Sequence, residues 1–486
     1  MSVMQVRESG KIKEIKKSIA SVEGLSGYMS GQVLTIADHT KAMVMGFDEK
    51  DVSVLFLGRA EEVKVGDPVY SKLEEFKIPV GEGFKGRVVN ALAEAVDNRG
   101  PITQKPEYYP VFSDAPGVLE RVPLHDVFET GNLIIDAAIP IGKGQRQLIV
   151  GDKMIGKTSL CLDAIINQKT KNVVCIYCCI GRSQSSLEKA IETLKENDAI
   201  NNTVIVSATA YSSVGQQYLA PYTACTLGEY FMKNGQDVFV VFDDLTRHAW
   251  AYRQISLLLE RSPGRDAYPG DIFYLHSQLM ERAGKLSNEF KGGSMTFFPI
   301  VEALGGDITS YVPSNLVSMT DGQIYLNTAL FSSGFKPAID LGLSVSRIGN
   351  KIQSPAMREL SAMLRLEYIQ YLDLLKVTQF KTGVSQEVNQ RLKHGEVITR
   401  LFIQDKARPR SLEEELIFLY ALRQNILEVL ANPEIEHFKN NILRFAEGWY
   451  PSMLEDLLKQ KKMTPEITKK LNECLIAFFK NYASHP

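Results

Sequence analysis

The chain has 486 residues, 44% hydrophobic and 23% charged, with a formal net charge of −2. That length divides into about two to four domains, and the near-neutral balance supplies no basic field to attract nucleic acid. No apolar run reaches about 18 residues, which excludes a membrane-spanning helix.

Residues 1–17 hold lysines but no apolar core of signal-peptide length, and Glu8 and Glu14 argue against an organelle transit peptide. The protein is therefore expected to start in the cytoplasm. Residues 1–72 lack helical periodicity. Short strand-like runs stand at Gly31-Gln32-Val33-Leu34-Thr35-Ile36, Ala42-Met43-Val44-Met45-Gly46-Phe47 and Val52-Ser53-Val54-Leu55-Phe56-Leu57, and a turn at Gly66-Asp67-Pro68 leads to another. Such spacing predicts a small β-barrel, with an open meander as the alternative. Residues 73–145 are turn-rich and approach the centre of the sequence.

The central stretch is Gly151-Asp152-Lys153-Met154-Ile155-Gly156-Lys157-Thr158, preceded by the apolar Gln147-Leu148-Ile149-Val150 and followed by a helical pattern over residues 159–166. This is the phosphate-loop pattern in its strand–loop–helix setting. Backbone N–H groups at the loop and helix start face an anion. Lys157 brings a point charge to terminal phosphates, and the Thr158 hydroxyl suits a magnesium ion.

From 146 to 260, strand candidates at 147–150, 173–180, 203–208 and 238–243 alternate with helical stretches, as in a parallel α/β core. Val238-Phe239-Val240-Val241-Phe242-Asp243-Asp244 ends in carboxylates, and Asp243 is favoured as the magnesium-side group. Cys175 and Cys178 form a C-x-x-C. A strand sends them to opposite faces and no second pair completes a zinc site, so buried thiols in a reducing compartment are expected rather than a metal or redox site. The Pro/Gly-rich stretch 261–271 reads as a loop for a ligand or partner, followed by a helix over 272–286. From Ser354 onward the pattern is helical, as over 413–430 and 465–482.

Taken together these residues resemble the alpha subunits of F-type ATP synthases over nearly the whole length. The resemblance is carried by Pro140-Ile141-Gly142-Lys143-Gly144-Gln145-Arg146, Asp163-Ala164-Ile165-Ile166-Asn167-Gln168, Gln217-Tyr218-Leu219-Ala220-Pro221-Tyr222, Pro269-Gly270-Asp271-Ile272-Phe273, Thr320-Asp321-Gly322-Gln323-Ile324 and Ser344-Val345-Ser346-Arg347-Ile348-Gly349. It implies a multidomain α/β protein: an N-terminal β-barrel (1–72), a central RecA-like P-loop nucleotide-binding domain (73–350) and a C-terminal helical bundle (351–486). It implies an alternating ring of three alpha and three beta subunits around a gamma stalk, with a delta or peripheral-stalk contact. The complex would lie peripherally on the cytoplasmic face of a bacterial inner membrane, coupling ATP synthesis or hydrolysis to proton or sodium transport. In that family alpha binds Mg-ATP (or ADP) without turning it over, and catalysis sits on beta.

The resemblance further assigns Arg347 to the neighbouring beta site, ties Ser344 to activity, and brings Gln404 towards the adenine. Residues 151–158 would hold the nucleotide, with Thr158 and Asp243 on the metal side. Catalytic relatives carry Gly-Glu after the strand that follows the phosphate loop. Here the strand ends Cys179-Ile180-Gly181-Arg182, and a guanidinium cannot act as a base. Alpha subunits usually carry Gln there, so Arg182 is expected to grip either a phosphate or a nearby carboxylate. Lys153-Met154-Ile155 replaces the family's Arg-Gln-Thr, and Lys406 replaces a second Gln. The family's leading helix, which docks the peripheral stalk, is expected to be truncated, marking a divergent member. Two alternatives remain: an autonomous hexameric ring ATPase of secretion-motor or RNA-translocase type, and a structural subunit with a vestigial loop.

Overall fold

A computed structural model describes residues 8–25, 29–37, 39–48, 51–58, 60–71, 75–102, 105–378 and 385–484. Expectations for a leading helix fall on residues 1–7, outside the described residues. The protein divides into two compact units.

The first unit comprises Met1–Pro123, Gly144–Val150 and Gln168–Thr320. It opens with a closed antiparallel barrel. Glu8–Lys16 pairs with Ile19–Glu23, which pairs with Asp51–Phe56, then Thr40–Phe47, Val33–Ile36 and Pro68–Ser71, and the last returns to the first. Alternation drives closure: Val22, Leu34, Ile36, Val44, Val54 and Phe56 point inward to one core. The barrel holds against the meander alternative. Its first two strands escape pattern reading because Lys and Glu crowd Glu8–Lys16 and only Ile12 is fully buried among its apolar side chains.

The same unit carries a parallel sheet in the order Leu148–Gly151, Ser294–Glu302, Asp237–Asp243, Val173–Ile180, Thr203–Ala208, Val88–Asn90. Its strands are near-continuous apolar runs, as strands covered on both faces must be. Ser294–Glu302 is buried throughout, a strand that sequence reading misses because Pro299 demotes a run to an edge. The helix expected over 272–286 stops at Glu281: Arg282 turns inward to Glu229, and Gly284–Lys285 pairs with Met295 and Ser294. Arg261, from the Pro/Gly loop, donates to the Met45 carbonyl at 2.7 Å, so that loop is pinned to the barrel. All six cysteines are buried free thiols, as expected of the C-x-x-C pair, and burial raises the Cys175 and Cys178 pKa values.

The second unit comprises Leu124–Lys143, Gly151–Asn167 and Asp321–Pro486. It holds the helix Lys157–Asn167, the short antiparallel pair Gly322–Leu326 and Val345–Ser346, and a helical bundle running from Pro355–Ser361 to Pro465–Ser484. The helical run over 413–430 breaks into Leu412–Arg423 and a 3₁₀ turn, because Asn425 adopts φ 55°. Among the described residues no helix is long and apolar enough to cross a membrane.

Candidate functional site

Parallel strands in register bring their carboxyl ends to one edge, where ligands of α/β sheets bind. Cys179 stands opposite Asp243 and Ile180 opposite Ala208. Gly181 then takes φ +62°, and the Ala210 N–H donates to the Arg182 carbonyl at 2.9 Å. This turn aims Arg182 back over the neighbouring strand end. Its Nε lies 3.7 Å from Asp243 Oδ1 and its Nη1 3.7 Å from Asp244 Oδ2, both carboxylates being wholly buried. Of the two partners expected for Arg182, a nearby carboxylate is present.

Each carboxylate has further support. Tyr177 Oη donates to Asp243 Oδ2 at 2.8 Å. Burial, then the Asp243 charge, holds the Tyr177 pKa well above its usual value, so the phenol remains a donor. Asp244 Oδ1 accepts from the Arg247 N–H at 2.9 Å and caps the helix Leu245–Leu258. Burial and the adjacent Asp243 push the Asp244 pKa up to about 7. Burial works against the Arg182 charge, but Asp243 and then Asp244 outweigh it and keep its pKa above the ordinary value. Glu302, at the end of the strand hidden by Pro299, is also buried, and its N–H donates to Thr246 Oγ1 at 2.8 Å. Sequence reasoning misses both Tyr177 and Glu302. The signal that could find Glu302 is an apolar run ending in an acid, the same one that marks Asp243.

The phosphate loop lies in the second unit. Gly151 is held tight: an added Cβ would sit 2.7 Å from the Leu326 carbonyl oxygen. Gly156 takes φ +97°, a conformation that only glycine adopts cheaply. Lys157, 6% exposed, folds over the loop and donates to the carbonyls of Gly151 (2.9 Å) and Asp152. Thr158 is half-buried at the start of the helix Lys157–Asn167. The unusual residues split by position. Met154 is 94% exposed and Lys153 is exposed, whereas Ile155 is buried. The Lys153 N–H donates to Asp152 Oδ1 at 2.8 Å. Ile155 therefore exchanges a polar reach for packing under the loop.

Gln404 approaches this loop's helix through the same unit. It is 7% exposed, and its Nε2 donates to the carbonyls of Gly131 (2.8 Å) and Arg408 (2.9 Å). Its Oε1 makes no hydrogen bond among the described residues, which leaves an acceptor there. The Ala407 N–H donates to Asp163 Oδ1 at 2.7 Å, joining the segment to the helix after the loop. Burial pushes the Asp163 pKa up to about 7. Lys406 is exposed.

Ser344 and Arg347 share one turn. Ser344 is buried, and its Oγ accepts from the Tyr325 N–H at 2.9 Å. Arg365 Nη2 donates to the carbonyls of Leu341 (2.9 Å) and Ser344 (2.7 Å). Ser346 Oγ donates to the Pro140 carbonyl at 2.8 Å, and the Arg347 N–H to that of Asp321 at 2.8 Å. The backbone is thus pinned on both sides of an exposed Arg347, whose guanidinium makes no hydrogen bond or ion pair among the described residues. Ser344 acts as a hydrogen-bonded pin, a role its sequence position alone does not disclose.

The donor set fits the expected ligands. In the second unit, Lys157 with a tight glycine loop suits phosphate and the Thr158 hydroxyl is a hard oxygen donor of the kind magnesium prefers; in the first unit, taken by itself, the Asp243 carboxylate is a donor of the same kind. No cluster of three or more His, Cys, Asp or Glu side chains that could hold a metal occurs among the described residues.

Comparison with known proteins agrees with this reading of the loop. Residues 131–346 match the nucleotide-binding domain of the ATP synthase alpha/beta family, and residues 353–478 match the C-terminal domain of the same family. The sequence is 42% identical over 473 residues to the ATP synthase subunit alpha of Clostridium botulinum (strain Eklund 17B / Type B), covering 97% of this protein and 94% of the relative. It is 42% identical over 481 residues to that of Caldanaerobacter subterraneus subsp. tengcongensis, covering 99% of this protein and 95% of the relative. With both family domains matched in order and alpha subunits matched almost end to end, the protein belongs to the ATP synthase alpha/beta family, in its alpha-subunit branch.

Proposed function

We propose that this protein is the regulatory, non-catalytic, nucleotide-binding alpha subunit of a rotary F-type ATP synthase. Residues 151–158 hold the phosphates of ATP or ADP, with Lys157 as the charge and Thr158 as a magnesium ligand. Asp243 serves the ion's coordination shell, and Gln404 Oε1 is the acceptor offered to the base. When bound, magnesium would offset the negative charge of the phosphates. Arg347 reaches the active site of a neighbouring beta subunit, and Ser344 and Arg365 position it. The proposed partners are beta subunits in a three-plus-three ring, the gamma stalk and a delta or peripheral-stalk subunit. The proposed place is the cytoplasmic face of a bacterial inner membrane, where the complex couples ATP chemistry to proton or sodium transport. The proposed domain limits are 1–72, 73–350 and 351–486, in keeping with a barrel that closes at Pro68–Ser71 and helices that begin at Pro355.

The observation that carries the non-catalytic reading is Arg182. Hydrolysis needs a group to orient or accept a proton from water. At the strand end where catalytic relatives carry an acid, this protein has a guanidinium engaged with Asp243 and Asp244. The test is the fate of bound nucleotide. The purified protein, loaded with Mg-ATP, freed of excess and held for hours, should yield ATP on acid release. Conversion of bound ATP to ADP at turnover rates would overturn the reading and favour a self-sufficient ring motor.

A further inference from the structure

Three elements of the helical bundle in the second unit meet at one imidazole. His394, on the helix Gln386–Phe402, places Nδ1 2.6 Å from Oε1 of Glu428, in the 3₁₀ turn Ile426–Val429. Its Nε2 stands 3.5 Å from Oε2 of Glu367, on the helix Leu364–Thr378. The ring and both carboxylates are half-buried. Arg423, at the end of the helix Leu412–Arg423, donates from Nη1 to the other Glu367 oxygen at 3.2 Å and from Nε to the Leu360 carbonyl at 2.9 Å, which holds that carboxylate in place. Gly395 lets the two long helices come close: an added Cβ would run into the Tyr371 ring, one turn beyond Glu367. The other arginines of the His394 helix are engaged elsewhere, Arg391 with Glu387 at 2.9 Å and Arg400 with Glu396 at 3.1 Å, and Lys393 is exposed. A carboxylate oxygen only accepts, and a neutral imidazole has a single N–H. Both contacts are donor to acceptor only when the ring is the imidazolium. A neutral ring sets a lone pair against one of the two carboxylates.

We propose that His394 is a proton-operated clasp, closed while the ring carries both N–H groups and released when one proton leaves, so that hydrogen-ion concentration sets how firmly the helices Leu364–Thr378 and Gln386–Phe402 and the turn Ile426–Val429 are joined. An arginine or lysine would hold the same carboxylates at any physiological pH. The proposal concerns the second unit alone and does not depend on the nucleotide reading. Its sign follows from the ring's partners. The Glu367 contact, opposed by burial and reinforced by Glu428, raises the His394 pKa above the ordinary 6.5. The clasp is therefore complete below about pH 6.5 and is lost as pH rises through the folded value.

The test is hydrogen–deuterium exchange of the full-length protein between about pH 6 and 8.5, read on peptides from 364–377 and 386–402 and divided by the intrinsic exchange rate at each pH. In the natural protein, protection should fall about three- to tenfold across that range, the size expected of a charge-assisted contact. His394→Arg, which keeps the cation, should hold high protection throughout, and His394→Gln should hold low protection throughout. Glu428→Gln, which leaves the ring one charged partner, should shrink the natural fall. A flat profile in the natural protein overturns the proposal even if a variant fails to fold. A fall in His394→Arg parallel to the natural one, or an undiminished fall in Glu428→Gln, overturns it as well.

Discussion

Replacing Arg282 by methionine should unfold the first unit far more easily than loss of a surface ion pair would. Arg282 and Glu229 are 2% and 3% exposed, and Nε stands 2.6 Å from Oε1. The other guanidinium nitrogens donate to the Val111 carbonyl at 2.9 Å and Thr226 Oγ1 at 3.0 Å, and Ser113 Oγ donates to Glu229 Oε2 at 2.9 Å. Arg282→Met leaves the Glu229 carboxylate buried without its counter-charge, which costs about 3–5 kcal/mol. Glu229→Leu strands the guanidinium at similar cost. The double variant removes both charges, so most of the loss should return, with a coupling of about 3 kcal/mol. The sequence has two tryptophans, Trp250 in this unit and Trp449 in the other. Urea unfolding followed by Trp250 fluorescence in a Trp449→Phe background therefore reads the right unit. Single variants costing under about 1 kcal/mol, or a double variant as unstable as the sum of its parts, would refute the reasoning.

Two further predictions concern the buried histidines and the Arg347 turn. His248 Nε2 lies 3.0 Å from the Tyr218 carbonyl and must carry the proton there, so its Nδ1 accepts from His276 Nε2 at 3.1 Å. Burial pushes the His248 pKa down to about 4, and burial with the His248 neighbour drives that of His276 well below normal. Both folded values lie below the unfolded value near 6.5, so this stability is complete above about pH 6.5 and is lost as pH falls towards 4. The loss should run at about 1.4 kcal/mol per histidine per pH unit, and His276→Phe should flatten the slope by about one proton. Urea midpoints between about pH 7 and 4.5 check this, and an unchanged slope contradicts it. For the turn, Arg365→Met removes two charge-assisted bonds, destabilising the second unit by about 1–3 kcal/mol. In an assembled complex it should lower kcat about tenfold with KM nearly unchanged, because the lost function is positioning. An unchanged kcat would assign Arg365 a purely structural role.

The central loop is legible in sequence because its chemistry is local: glycines, a lysine and a threonine at fixed spacing between a strand and a helix. The barrel is legible through alternation at Val33–Ile36, Thr40–Phe47 and Asp51–Phe56, but not at Glu8–Lys16, where charged residues obscure the period. Ser294–Glu302 is hidden by Pro299, and Glu302 with it. What depends on tertiary approach cannot be read locally. The partner of Arg182 lies on a strand distant in sequence, and the pin made by Ser344 is completed by the Tyr325 N–H. The meaning of Lys153-Met154-Ile155 likewise emerges only from burial, which separates Ile155 from its two exposed neighbours.

The most direct test is steady-state ATPase activity of a complex reconstituted from this protein and its cognate beta and gamma subunits, with the natural sequence and with Arg347→Ala. An exposed guanidinium on a pinned turn should stabilise charge on the transferring phosphoryl group, and its loss should lower kcat on the order of a thousandfold. Assembly and Mg-ATP binding by this subunit should be unchanged. A complex that keeps its activity with Arg347→Ala, or a lone subunit that turns over ATP as fast as the assembly, would contradict the account.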